Sequence, residues 1–323
     1  MSFLGEAQVV KSLEPEKETE DEAQTFRDQD LSGADLSGEH LEGVDLSGAR
    51  LFKANLKGAI LMGAKLDGAD LTGADLTGAK MNGVSARNAG FGMAVLNKAS
   101  LFRADFEGAT FTMADLSKAD LRCARLKKAR LRQSVLHKVD FTEADLREAD
   151  LSLCDVSHST FDNADLRGAR LRMMKGYEKA SWIGTDIRDI NFSGAYLLRR
   201  FIMDQNYLKE FKEKNKWCTI YYYLWSITSD CGRSILRWCL WIMLVVLGYA
   251  YLYTQVGIDY GDYPTPLSQI YYSMVTITTL GYGDVVPKTL AGQIVSISEV
   301  VIGYVMLGGL LSILSNRIAR RAD

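Results

Sequence analysis

The sequence predicts a multidomain chain: a stack of very short repeats followed by an all-α module that crosses a membrane twice. Three observations carry this. A five-residue period runs over 29–198, two nearly charge-free apolar stretches occupy 235–253 and 291–314, and the run TTLGYGDVVP lies between them at 278–287. At 323 residues there is room for two or three units. Residues 1–28 precede the repeats and include the acidic stretch Glu14–Glu22, which reads as a disordered tail or as an end-cap on the repeats. No apolar core of a signal peptide is visible there.

The period is read from its stops. Stepping by five from Leu31 to Leu171 meets Leu, Met, Phe or Val at every stop except Ala86, and for most of the run Ala, or now and then Val, Ser or Cys, sits two positions earlier. The register slips by one between Leu171 and Tyr177, then resumes through Trp182, Ile187, Phe192 and Leu197. Five fits neither a helix nor a flat strand, so each unit turns a corner and brings one small and one large side chain inward. Units this short bury a core only by stacking on neighbours.

ADLSG, ANLKG, AKLDG, ADLTG and ADLRG resemble the pentapeptide-repeat family, with its consensus A-(D/N)-L-x-x. The resemblance implies a right-handed quadrilateral β-solenoid with four pentapeptides per coil over 29–198. That is roughly eight coils, ~40 Å long at the ~4.8 Å strand spacing. Residues twenty apart then lie one above another. Ala86 is expected between Leu66 and Phe106, with Phe91 on Phe111 and Phe141 on Phe161. Outside, a column reading Asp30, Arg50, Asp70, then Arg130, Asp150, Arg170 places opposite charges on adjacent coils. The basic segment Arg122–Arg132 reads as a solvated face, with an anion or partner site as the sharper alternative.

Charge narrows the partners. Net charge is −2 with 24% charged residues, so no nucleic acid is expected, and a DNA-mimicking solenoid would need a more acidic surface. The five cysteines form no C-x-x-C pair and read as reduced packing residues; the three histidines lie far apart. No feature suggests an enzyme, and no cofactor is expected.

Residues 199–233 form a connector. RRFIMDQNYLKEFKEKNKW has helical spacing, with Phe201, Tyr207, Leu208 and Phe211 toward one face. WCTIYYYLWSITSD comes next, with the composition of a membrane-interface segment or of an ordinary packing helix. The module 234–323 then holds an outer helix over 234–254 and an inner helix over 290–315, each long enough at ~1.5 Å per residue to span a ~30 Å bilayer core. Lys209, Lys212, Lys214, Lys216, Arg233 and Arg237 flank the first span and Arg317, Arg320 and Arg321 follow the second, against Lys288 alone between them. That asymmetry predicts both termini in the cytoplasm.

Between the spans, PLSQIYYSMVTIT reads as a short helix over 266–278 that enters the membrane and returns, which needs protein or water around its ends. TLGYGD follows at 279–284. A strand that points successive carbonyl oxygens the same way needs a left-handed residue at every second position, and Gly281 and Gly283 alternate as required. Rings of such carbonyls replace a cation's hydration shell.

TTLGYGD between two spans resembles the two-transmembrane potassium channels, over about 235–321. The resemblance implies a filter of Thr279, Leu280, Gly281, Tyr282 and Gly283, with potassium ions as the permeant ligand there and no other metal. Leu280 stands where the family usually has Val or Ile. It further implies filter support from Asp284, Tyr271, Tyr272 and Val275, where some members carry an acidic residue in place of Val275. Gly303 aligns with an inner-helix hinge, and Leu307, Leu311 and Ser315 with the pore lining. Glu299, ~12 Å into the second span, is an intramembrane carboxylate and so a candidate functional group, expected to meet Ser273 or Thr276 of the pore helix.

Together these imply a potassium-selective homotetramer in a lipid bilayer, the cell membrane of bacterial inner-membrane type. Its solenoids are cytoplasmic, regulatory or scaffolding, and open to an unknown cytosolic protein partner. The alternative is a membrane-anchored scaffold with little or no conduction.

Overall fold

The structure, a computed structural model, describes residues 25–193, 195–261 and 265–322, with side chains to Ser315. It divides into two compact units, 1–209 and 210–323.

The first unit is a coil of five-residue sides. Parallel bridges join residues twenty apart from Thr25↔Asp45 to Asp155↔Lys175. Each coil bonds to the next along the backbone, as in Leu51 N–H to Asp70 O at 2.7 Å. The inward Ala and Leu of every unit are buried, from Leu36 through Leu171. The acidic residue of the A-D-L-x-x unit acts locally, since Asp70 Oδ1 accepts the Thr72 N–H at 3.0 Å and Asp75 the Thr77 N–H at 2.9 Å. Such turns hold the corner that defines each unit. The third residue after the Asp position is left-handed, glycine early (Gly33, φ 69°) and larger side chains late (Lys128, φ 60°).

The column geometry follows the twenty-residue coil. Bridges Lys65↔Ser85↔Asp105 put Leu66, Ala86 and Phe106 in one column, all fully buried. Phe91 stacks on Phe111 with centroids 4.8 Å apart, and Phe141 on Phe161 at 4.9 Å. Phe106 packs edge-on to both Phe91 and Phe111, filling the space that Ala86 leaves. Phe106→Ala is therefore expected to cost about 3–5 kcal/mol, read as an earlier unfolding transition of the detergent-solubilised chain.

Several expected boundaries move. The first coil begins by Thr25 rather than 29, because Phe26 N–H bonds to Asp45 O and its ring packs on the core; the rest of the acidic tail lies outside the described residues. The register slip is a 3-10 turn at Tyr177–Lys179, after which Ser181 and Asp186 pair one residue late with Thr160 and Asp165. Trp182 continues the core, stacked on Phe161 at 4.3 Å. Leu197 does not: it is exposed, and Leu198 is buried in its place because the chain has already turned into helix.

That helix, α1 (Tyr196–Lys214), closes the coil end. Leu198 and Ile202 bury against the last coil, while Tyr207 stays exposed. Gln205 Oε1 accepts the Trp182 N–H at 2.9 Å, Asn206 Oδ1 accepts the Gly184 N–H at 2.7 Å, and both amides donate back to coil carbonyls. Two side chains thus satisfy an edge that would otherwise recruit another strand.

The second unit is helical. The connector is two helices: Asn215 breaks α1 from α2 (Lys216–Ser229) and caps it by accepting the Cys218 N–H. Ser234 caps α3 (Ile235–Gln255), the outer helix. The pore helix α4 is Ser268–Ile277, shorter than 266–278 because residues 265–268 form a turn closed by Ser268 N–H to Thr265 O, and Thr278 caps its end. The inner helix α5 runs Leu290–Ala322, past the expected 315, since no glycine or proline follows to stop it. Between the spans β1 (Ile258–Asp259) pairs antiparallel with β2 (Val286–Pro287). Both apolar helices are long enough to cross a membrane, and most of their residues are not buried within the chain.

Candidate functional site

The site is built where α4 ends. Thr279 N–H bonds to Thr276 O and Leu280 N–H to Val275 O, both at 3.0 Å, so the helix hands its last carbonyls to the strand that leaves it. Val275, itself buried, supports that strand through its backbone. Thr279, Gly281 and Gly283 are left-handed at φ 57°, 51° and 78°. The alternation is thus one residue longer than the glycines reveal. A β-branched residue in this region is strained by about 1–2 kcal/mol. Thr279 therefore stores strain where the carbonyl row begins, a property its residue type hides.

The strand is uncovered. Leu280 is 60% and Tyr282 67% exposed, and a cleft of about 510 Å³ separates it from the inner helix, lined by Tyr272, Val275, Thr279, Tyr282, Val300 and Tyr304.

The supporting residues divide. Tyr271 O–H donates to Asp284 Oδ2 at 2.6 Å, tying the pore helix to the strand's exit. Tyr272, expected beside it, instead turns to the helices: its hydroxyl meets Ser296 Oγ at 3.0 Å and its ring packs on Tyr253 at 4.7 Å. Consecutive residues on a helix point about 100° apart, so only one of the pair can reach the strand. Tyr271→Phe and Asp284→Asn are expected to show a coupling of about 1 kcal/mol in a double-mutant cycle, read as thermal stability of the solubilised protein. Outside the spans, the Lys288 ammonium at 2.6 Å holds the Asp259 carboxyl below the usual carboxylate range and locks β1 beside β2.

On the inner helix, Gly303 is buried, and a Cβ there would meet the Ile277 carbonyl oxygen and lie 3.1 Å from both Ile277 Cα and C. Close packing thus requires a glycine here, whether or not the helix bends at it. Leu311 and Ser315 are exposed and Leu307 half-buried. Lower down, Trp238 of α3 donates its indole N–H to Met306 O at 2.8 Å and occupies the space a Gly309 side chain would take.

Glu299 is fully buried. Ser273 Oγ lies within hydrogen-bond distance of Oε1, and Tyr253 O–H donates to Oε2. Thr276, the other partner expected, makes no such bond. Tyr253 and Trp238 were not legible as site residues; each is one of many aromatics in an apolar span.

On the solenoid, three of the six cations of the basic segment are paired: Arg122 with Asp120 of its own coil at 2.8 Å, and Arg125 with Asp105 at 3.4 Å and Lys128 with Glu148 at 3.9 Å on adjacent coils.

Comparison with known proteins agrees with this division. A family model described as "Ion channel" matches residues 238–320, and one for pentapeptide repeats matches eight copies over 30–68, 63–92, 99–137 and 134–172. The calcium-gated potassium channel TvoK of Thermoplasma volcanium is 36% identical over 75 residues, 23% of this chain and 22% of that one. The human A-type voltage-gated potassium channel KCND3 is 36% identical over 73 residues, 23% of this chain and 11% of that one. The chain thus spans less than a quarter of either channel's length. Among solved structures, HetL, a pentapeptide repeat protein of the cyanobacterium Nostoc sp. strain PCC 7120, is 32% identical over 53% of this chain and 75% of its own, at a TM-score of 0.33. The two family models divide the chain into a run of pentapeptide repeats within 30–172 and an ion-channel module over 238–320.

Proposed function

We propose that the chain is one subunit of a homotetrameric, potassium-selective channel. The observation that carries this is the left-handed alternation at Thr279, Gly281 and Gly283 in a strand suspended between two membrane-length helices. Such a strand aligns its carbonyls, and four copies around an axis would build the oxygen cages that replace potassium's water. One chain supplies one strand and leaves it uncovered, which is why conduction requires a closed ring. The potassium channels matched over this segment support the same ion.

The lysine- and arginine-rich flanks of the spans favour cytoplasmic termini, and with them cytoplasmic solenoids. Exposed Trp217, Tyr221 and Leu224 on α2 are the groups a lipid headgroup layer takes up, so α2 lies on the membrane surface. The connector enters α3 one turn before Trp238, and Trp238 grips the inner helix below Gly303. A movement of the connector would therefore reach the inner helix directly, giving the solenoid a regulatory route.

The test is flux from liposomes holding the purified protein under opposed potassium and sodium gradients. A reversal potential near that of potassium is expected, from particles with fourfold symmetry. Equal sodium permeation, or a different symmetry, overturns the reading.

A further inference from the structure

The proton count around Glu299 is informative. Ser273 Oγ lies within hydrogen-bond distance of two oxygens, Glu299 Oε1 and the Val246 carbonyl at 3.0 Å. A serine brings one proton and a carbonyl none. If Glu299 is a carboxylate, one of the two contacts is acceptor against acceptor. A proton on Oε1 satisfies both, and Oε2 remains free to accept from Tyr253 at 2.5 Å.

The surroundings agree. Among the described residues, every other titratable group facing the site is a phenol: Tyr249 and Tyr253 from α3, Tyr272 from α4, and Tyr260, whose hydroxyl donates to Tyr253 O at 3.3 Å. No cation is contributed by α4 or by α5 through Ser315, and Arg237 of α3 is sixteen residues from Tyr253, ~24 Å along the helix. A buried carboxylate without a cation costs several kcal/mol.

We propose that Glu299 works as a neutral carboxylic acid, donating to Ser273 so that Ser273 donates to the Val246 carbonyl, and that this relay positions the pore helix for conduction. It links α5, α4 and α3 in one line of bonds, and Ser273 lies six residues before Thr279. Loss of the proton at alkaline pH would break the relay and set like partners against each other. The relay is therefore also an alkaline switch on the strand that α4 carries. The conduction part of this inference rests on the channel reading above; the protonation does not.

Two measurements test it. Infrared difference spectra of the purified full chain, wild type minus Glu299→Gln, should contain a carboxylic-acid C=O band at neutral pH that disappears at high pH. A carboxylate band in its place overturns the proposal whether or not the protein conducts. In liposomes, Glu299→Gln should keep wild-type flux and selectivity, since an amide donates to Ser273 and accepts from Tyr253, yet lose the fall in flux that wild type shows at alkaline pH. Glu299→Ala should lose flux at every pH. Equal damage from Gln and Ala, or an unchanged pH response in the Gln variant, would refute the relay. Absence of flux in wild type itself would instead strike the channel reading and leave the infrared result to decide protonation.

Discussion

Gly281→Ala is expected to abolish potassium-selective flux while leaving the chain folded. Gly281 sits at φ 51° with no atom near its missing Cβ, so the penalty is conformational rather than crowding. A Cβ costs about 1–2 kcal/mol there. Over the four subunits of the proposed tetramer that amounts to roughly 4–8 kcal/mol, enough to favour a rotated peptide that withdraws its carbonyl from the row. Reversal potentials in liposomes would then lose their preference for potassium. Gly248→Ala is the control, because that glycine lies inside α3 with open space around it. It should raise stability by about 0.5–1 kcal/mol through helix propensity alone and leave selectivity intact.

The second large effect belongs to Gly303. Its missing Cβ faces the main chain of Ile277, which cannot swing aside as a flexible side chain would. Gly303→Val should displace the pore helix end and with it Thr279, with loss of flux and a lower thermal transition of the assembled protein. Gly303→Ala should cost about 1–3 kcal/mol by overpacking. Gly308, five residues on, has open space at the same point, so Gly308→Ala should be nearly silent. If flexibility rather than contact were the property Gly303 provides, alanine at 303 would change gating kinetics and spare thermal stability.

Local chemistry explains why much was legible in the sequence. The five-residue stops of the coil, the Phe91–Phe111 and Phe141–Phe161 stacks and the Asp30–Arg50 pairing across coils are all consequences of a fixed twenty-residue period. A repeat writes its neighbours into its own spacing. The strand at 279–284 was legible for a similar reason, since alternating glycines mark a backbone requirement at single-residue resolution. The capping of the last coil by Gln205 and Asn206 was not, because two amides in a charged helix carry no mark of the edge they meet. Nor was the turn of Tyr272 away from Asp284, which depends on how three helices pack.

The sequence by itself determined the coil, its period, the two apolar spans and the strand chemistry, because each depends on contacts or conformations repeated within a few residues or at a constant separation. Only the tertiary structure decided that Thr279 joins the left-handed alternation, that Gly303 makes room for Ile277, and that Glu299 takes Ser273 rather than Thr276, with Tyr253 as its second partner and Val246 behind Ser273. The partners of Gly303 and Glu299 lie 26 to 46 positions away along the chain. Nothing in an apolar helix records which of its faces will meet another; packing chooses the partner, and the partner sets the chemistry.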